Sequence, residues 1–166
     1  MSTTVSVVIP TYNRPQLVRQ AIESVLAQRG NFTFQIVVID DGSSGETRAA
    51  IEPLLDRVHY IWQENAGLNA ARNRALRLCV GDYVAFLDDD DVWLPFKTSL
   101  ELLALARFPE AAFVHSNFHI WKPELDVRIP DGMQTWFHRR MKWGELYDMV
   151  TDVDLSPLCT QFEQFL

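Results

Sequence analysis

The residues with the most evident chemistry are four consecutive aspartates, Asp88 to Asp91. They stand directly after the apolar run Tyr83-Val84-Ala85-Phe86-Leu87 and directly before Val92-Trp93-Leu94. A like-charge run is ordinarily a solvated surface or a disordered tail. Apolar anchors on both sides argue against that here, because they fix the run at the end of a core strand. Carboxylates about 5 Å apart repel by roughly 3 kcal/mol at an effective dielectric of 20, so four at one strand end ask for a cation. Hard divalent cations, Mn2+ or Mg2+, take oxygen ligands of this type and keep positions open for phosphate oxygens. A second acidic turn, Asp40-Asp41-Gly42-Ser43-Ser44, ends the apolar run Phe34–Ile39, and a third polar cluster, Thr11-Tyr12-Asn13, follows Val5–Ile9. Asp, Gly and Ser are also plain turn and N-cap residues, so one such cluster alone carries little.

The elements that must position these clusters follow from hydrophobic periodicity. Val5–Ile9 reads as a short β-branched strand stopped by Pro10. Leu17, Val18, Ala21, Ile22, Val25 and Leu26 recur at helical spacing, with Asn13 as cap, Pro15 in the first turn and an end near Gln28. Phe34–Ile39 is a second strand, a helix follows over 45–55, and Val58–Trp62 is a weaker strand. The next helix, Ala70–Leu78, carries Arg72 in its first turn, where the helix dipole does not favour a cation. Such an arginine serves either a surface salt bridge or a phosphate. Tyr83–Leu87 reads as a strand buried on both faces, and a helix spans Leu94–Arg107. This alternation predicts an α/β fold, a parallel sheet with right-handed crossovers and helices on both faces. Ligands of such sheets bind beyond the carboxyl ends of the strands, and all three polar clusters lie at that edge.

The remainder is less regular. Ala111–Trp121 reads as a longer strand, on which His115 and His119 share a face some 13 Å apart at about 3.3 Å per residue; they are read as ordinary strand histidines. Residues 122–132 suggest a hairpin or loop. Trp136, Phe137, Met141, Trp143, Leu146, Tyr147 and Met149 form an apolar tail. A net charge of −7 argues against a nucleic-acid partner, although not against a nucleotide whose charge a metal offsets. Two cysteines make neither a disulfide framework nor a zinc spacing. No apolar run reaches the roughly 18 to 20 residues that span a bilayer. A cytoplasmic location is expected, with a membrane segment in a longer parent left open.

Four blocks together resemble family 2 glycosyltransferases: Val7-Val8-Ile9-Pro10-Thr11-Tyr12-Asn13-Arg14, Val37-Val38-Ile39-Asp40-Asp41-Gly42-Ser43-Ser44, Asn65-Ala66-Gly67 with Ala71-Arg72-Asn73, and Tyr83 to Asp91. Order and spacing match from about Val5 to about Leu105. The resemblance implies a GT-A (Rossmann-like) fold, with a donor- and metal-binding part over 1–110 and the start of an acceptor-side part over 111–166, incomplete at its end. It implies Mn2+- or Mg2+-dependent inverting transfer from a nucleoside diphosphate sugar, UDP being the commoner case, to a hydroxyl of a glycan or polysaccharide.

Carried over residue by residue, the resemblance puts Thr11 and Tyr12 beside the nucleobase, with Pro10 and Asn13 in the same loop. Asp40 would bond the base edge with Asp41 next to it, and Arg72 would lie near the nucleotide or its phosphates. Asp88 and Asp89 complete the nucleotide set, while Asp90, Asp88 and Asp89 are the candidate metal ligands, Asp90 first among them. The catalytic base of such enzymes usually lies past the equivalent of Leu166. Asp148, Asp152 and Asp154 are the late carboxylates within this chain. A binding module that holds nucleotide and metal without transfer is the alternative expectation, with self-association through apolar surface near Trp136, Trp143 and Phe162.

Overall fold

The computed structural model describes residues 2–130 and 132. Its elements alternate over the first hundred residues: β1 (Thr3–Thr11), α1 (Pro15–Leu26), β2 (Phe32–Asp40), α2 (Gly45–Ala50), β3 (Val58–Trp62), α3 (Leu68–Leu76), β4 (Tyr83–Phe86) and α4 (Lys97–Arg107). The strands form one parallel sheet in the order β3-β2-β1-β4. This is the expected α/β architecture, with the chain's first strand at the centre.

Period-two alternation sorts the side chains of β1 and β2. Val5, Val7, Ile9, Ile36 and Val38 join Val18, Ala21, Ile22 and Val25 of α1 in a core on one face of the sheet. Val8, Val37 and Ile39 pack with Ala71 and Ala75 of α3 on the other. Fully burying each Val or Ile side chain contributes about 1.5–3 kcal/mol, so these two layers fix the position of the sheet's carboxyl edge.

Several boundaries differ from the sequence reading, each for a local reason. Pro10 does not stop β1: the strand continues to Thr11, which pairs with Asp40. Even-numbered residues of β1 turn their peptide groups toward β4, as the bonds from Asp82 N to Thr4 O and from Leu87 N to Val8 O show. That ladder ends at the Val8–Phe86 pair, so the N–H missing from Pro10 has no strand to meet. Arg14, not Asn13, holds the N-cap position of α1, and no side chain caps it. The helix expected over 45–55 ends at Ala50, and a 3-10 turn over Glu52–Leu54 takes in Pro53. Helix α3 starts at Leu68, which moves Arg72 into the second turn.

Strand β4 departs most from expectation. Among the described residues it lies at the sheet edge, and Tyr83, Val84 and Phe86 are exposed rather than buried. A continuous apolar run signals a strand with cover available on both faces, whereas pairing order is set by the whole sheet.

The described residues divide into two compact units after Val114. The stretch Ala111–Trp121 is not one strand: in the second unit Ile120–Lys122 pairs antiparallel with Val127–Ile129 around a 3-10 turn at Pro123–Leu125. His115 and His119 therefore share no strand. The tail from Trp136, together with Asp148, Asp152 and Asp154, lies outside the described residues.

Candidate active site

Four loops leave the carboxyl ends of β1, β2, β3 and β4 side by side, and hydrogen bonds between them build a cleft of about 300 Å3. Its walls are Pro10 and Thr11 at the end of β1, Tyr12 and Arg14 after it, Asp41 after β2, Asn65, Gly67, Leu68 and Ala71 after β3, and Asp89 after β4. The loops after β1 and β2 are clasped by Asn13. Its backbone N–H donates to Ser43 Oγ at 2.7 Å, and its side-chain oxygen accepts from Ser44 N at 3.1 Å. Asn13 takes φ +53 to do this, a left-handed conformation that asparagine tolerates better than most residues. It acts as a tie between loops and does not line the cleft.

The two aspartates of the second loop have different jobs. Asp40 is fully buried, and its carboxylate accepts from Tyr60 Oη and from Ser43 N at 2.7 Å. Burial and this carboxylate push the Tyr60 phenol well above its ordinary pKa. Asp40 stands behind the wall, and of the two aspartates the one that lines the cleft is Asp41. Burial alone would raise the Asp41 pKa. Bonds from Ala66 N (2.9 Å), Gln63 Nε2 (2.6 Å) and Gly67 N (2.8 Å) outweigh burial and hold it below the ordinary value. Asp41 thus pins the loop that opens α3. Gly42 lets these loops meet: it has φ +92, and a Cβ there would come within 2.9 Å of Asn65 N.

The acidic turn is anchored by the core at both ends. Leu87 is buried and donates its N–H to Val8 O, while Trp93 is buried and donates its N–H to Ser24 Oγ. Between these anchors the aspartates differ in burial and in partners. Asp89 is buried and accepts from Thr11 Oγ1 at 2.8 Å and Arg14 Nη1 at 2.9 Å. Asp90 is exposed and meets the same Arg14 nitrogen at 2.9 Å. Asp88 pairs with Arg72 Nη2 at 2.5 Å. Arg14 binds its proton more firmly than usual, chiefly through its bond to Asp89. Desolvation and then the neighbouring charges of Asp90, Asp88 and Asp89 push the Asp91 carboxyl up.

Among the described residues no group of three or more His, Cys, Asp or Glu side chains is arranged to hold a metal ion. A closed all-protein cage is therefore not built here. The donor set does fit a cation shared with a ligand. Asp88 and Asp90 present hard, solvent-reachable carboxylate oxygens, each already drawing an arginine as counter-ion, and Mg2+-type ions bind through one or two carboxylates plus phosphate oxygens.

Of the candidates named from sequence, Pro10, Thr11, Tyr12, Asp41 and Asp89 line one cleft, and Asp88 and Asp90 share the turn that borders it. Arg72 reaches that turn rather than open space. Arg14, Asn65, Gly67, Leu68 and Ala71 also line it and were not among those candidates. A cation five residues past the expected strand end at Ile9, in a chain of net charge −7, was the available signal for Arg14.

The chain has likenesses among known proteins. The model of glycosyl transferase family 2 matches residues 6–162. A putative colanic acid biosynthesis glycosyl transferase of Escherichia coli strain K12 is 34% identical over 125 residues, which cover 73% of this chain and 44% of that protein. The structure of S. aureus TarS 1–349 in complex with UDP-GlcNAc matches with a TM-score of 0.52 at 30% identity, covering 64% of this chain and 31% of the other. A mannosyltransferase from Pyrobaculum calidifontis, solved with GDP-Man and Mn2+, matches with a TM-score of 0.55 at 22% identity, covering 75% and 37%; at that identity the likeness is one of fold. The chain spans less than half the length of the curated relatives it matches. No helix among the described residues is long and apolar enough to cross a membrane.

Proposed function

Because the chain belongs to glycosyl transferase family 2, we propose that its cleft binds the nucleoside diphosphate of an activated sugar, UDP-linked in the first instance. The protein then transfers that sugar, with inversion, to a hydroxyl of a glycan or polysaccharide acceptor. The observation that carries the reading is the single cleft joining the Thr11–Tyr12 loop, Asp41 and the acidic turn. Tyr12 is half exposed at its mouth and offers a face for a base to stack on. Asp41, Asn65 and Gly67 line the same cleft beside it. The relative solved with UDP-GlcNAc, at 30% identity, supports a donor of that class.

Asp90 and Asp88 are the residues that would hold Mn2+ or Mg2+. When bound, such an ion neutralises the charge that builds on a departing diphosphate. The chain's own contribution is positional. Thr11 and Arg14 orient Asp89, which fixes the turn, and Arg72 keeps Asp88 in place. Asp148, Asp152 and Asp154, the carboxylates offered from the sequence for the acceptor proton, lie outside the described residues.

Calorimetry with UDP, with and without Mn2+, tests the reading. Each ligand should tighten the other, because each screens charge that the other leaves exposed. Equal UDP affinity in the two titrations refutes the metal-dependent reading, and no UDP binding in either refutes the donor site.

A further inference from the structure

Arg14 places a single nitrogen, Nη1, 2.9 Å from both Asp89 Oδ1 and Asp90 Oδ2. The two contacts are unequal. The Asp89 side chain is only 7% exposed and is also held by Thr11 Oγ1, so that half of the bridge is anchored. The Asp90 side chain is 51% exposed and Arg14 itself 49%, so the other half is an open ion pair of the weak, solvent-screened kind. Arg14 and Arg72 offset two of the turn's four carboxylate charges, which leaves the equivalent of one divalent cation to be supplied. Arg14 also lines the cleft.

We infer that Arg14 is the resident counter-cation of the acidic turn, holding Asp90 until a divalent cation takes that carboxylate and then offering its freed N–H edge to the donor's phosphates. The inference rests on the metal-dependent reading above and deepens it. Arg14 becomes a positioning residue with two opposed effects. It competes with the metal for Asp90, and it assists the nucleotide once the metal is bound. Asp89 makes this workable by keeping Arg14 in place through the exchange. An arginine fork can hold one carboxylate and still present donors to a phosphate.

The test is calorimetry of Mn2+ alone, and of UDP at saturating Mn2+, for wild type, Arg14→Gln and Arg14→Lys. Arg14→Gln should bind Mn2+ alone about tenfold more tightly, as expected for removing a competing charge a few ångströms away, and should bind UDP about tenfold more weakly. Arg14→Lys should keep Mn2+ affinity near wild type. Wild type and Arg14→Gln binding Mn2+ equally, or the variant more weakly, overturns the inference while leaving the metal reading intact. Wild type that binds no Mn2+ even with UDP overturns both. Where circular dichroism shows Arg14→Gln unfolded, nitrogen NMR of the wild-type arginine side chains during a Mg2+ titration takes its place, with the Arg14 signal assigned by its absence in Arg14→Lys. A shift that saturates with Mg2+ supports the exchange, and an unmoved signal overturns it.

Discussion

Replacing Asp41 should cost more stability than any other single change at the cleft that leaves the apolar core intact. Asp41 is 5% exposed and accepts three hydrogen bonds, two of them from the backbone N–H groups of Ala66 and Gly67. Bonds to a charged group are worth about 1.5–3 kcal/mol each, and a buried donor left without a partner costs about 1–3 kcal/mol. These terms overlap, so Asp41→Ala should lose about 3–5 kcal/mol. That is a large share of the 5–15 kcal/mol typical of a domain. Asp41→Asn should lose about half as much, because it retains one oxygen but turns an N–H group toward other donors. Urea unfolding at pH 7 reads both values.

The pH dependence supplies a sharper check. The folded pKa of Asp41 is depressed below the ordinary 3.8, so its ionised form contributes stability that is fully present above about pH 4. That contribution fades as pH falls from 3.8 through the lower folded value. The gap between wild type and Asp41→Asn should stay constant from pH 7 to about 4 and narrow below it. A gap that persists unchanged below pH 3, or an Asp41→Ala protein as stable as wild type, would refute the reasoning. Because Asn65 and Gly67 belong to the pinned loop, UDP affinity should fall in both variants even where they remain folded.

Two further predictions separate structure from chemistry in the same site. Asp89→Ala should destabilise the protein by about 2–4 kcal/mol, since it strands Thr11 Oγ1 and the anchored half of Arg14, whereas Asp90→Ala should cost about 0–1 kcal/mol yet abolish Mn2+-dependent UDP binding; thermal melts and calorimetry on the pair read both halves. Gly42→Ala should cost more than about 1 kcal/mol, because φ +92 disfavours any Cβ and Asn65 N stands 2.9 Å from where it would go; chemical denaturation measures it, and UDP affinity should fall as the Asp41 and Asn65 loops separate.

Local periodicity determined the type and order of the elements through α4. Val5–Ile9, Phe34–Ile39 and Val58–Trp62 are β-branched or aromatic runs, and the stretches between them repeat at helical spacing. Alternation of this kind leaves one sensible architecture, with the polar loops gathered at one sheet edge. The polar clusters at Thr11–Asn13, Asp40–Asp41 and Asp88–Asp91 were therefore expected at one edge before any contact was known. Tertiary structure decided which member of each motif does what. Two adjacent aspartates are equivalent on paper, but a strand points successive side chains to opposite sides, so Asp40 is sealed behind Tyr60 while Asp41 faces the cleft. The acidic turn divides likewise: Asp89 goes inward to Thr11 and Arg14, the exposed Asp90 meets that same Arg14, and Asp88 pairs with Arg72. Nor does an apolar sequence say how many neighbours a strand acquires, which is why Tyr83–Phe86 reads as buried and lies at an edge. Long-range pairing assigns such roles: Arg14 and Asp89 are 75 residues apart in the chain and 2.9 Å apart in the fold.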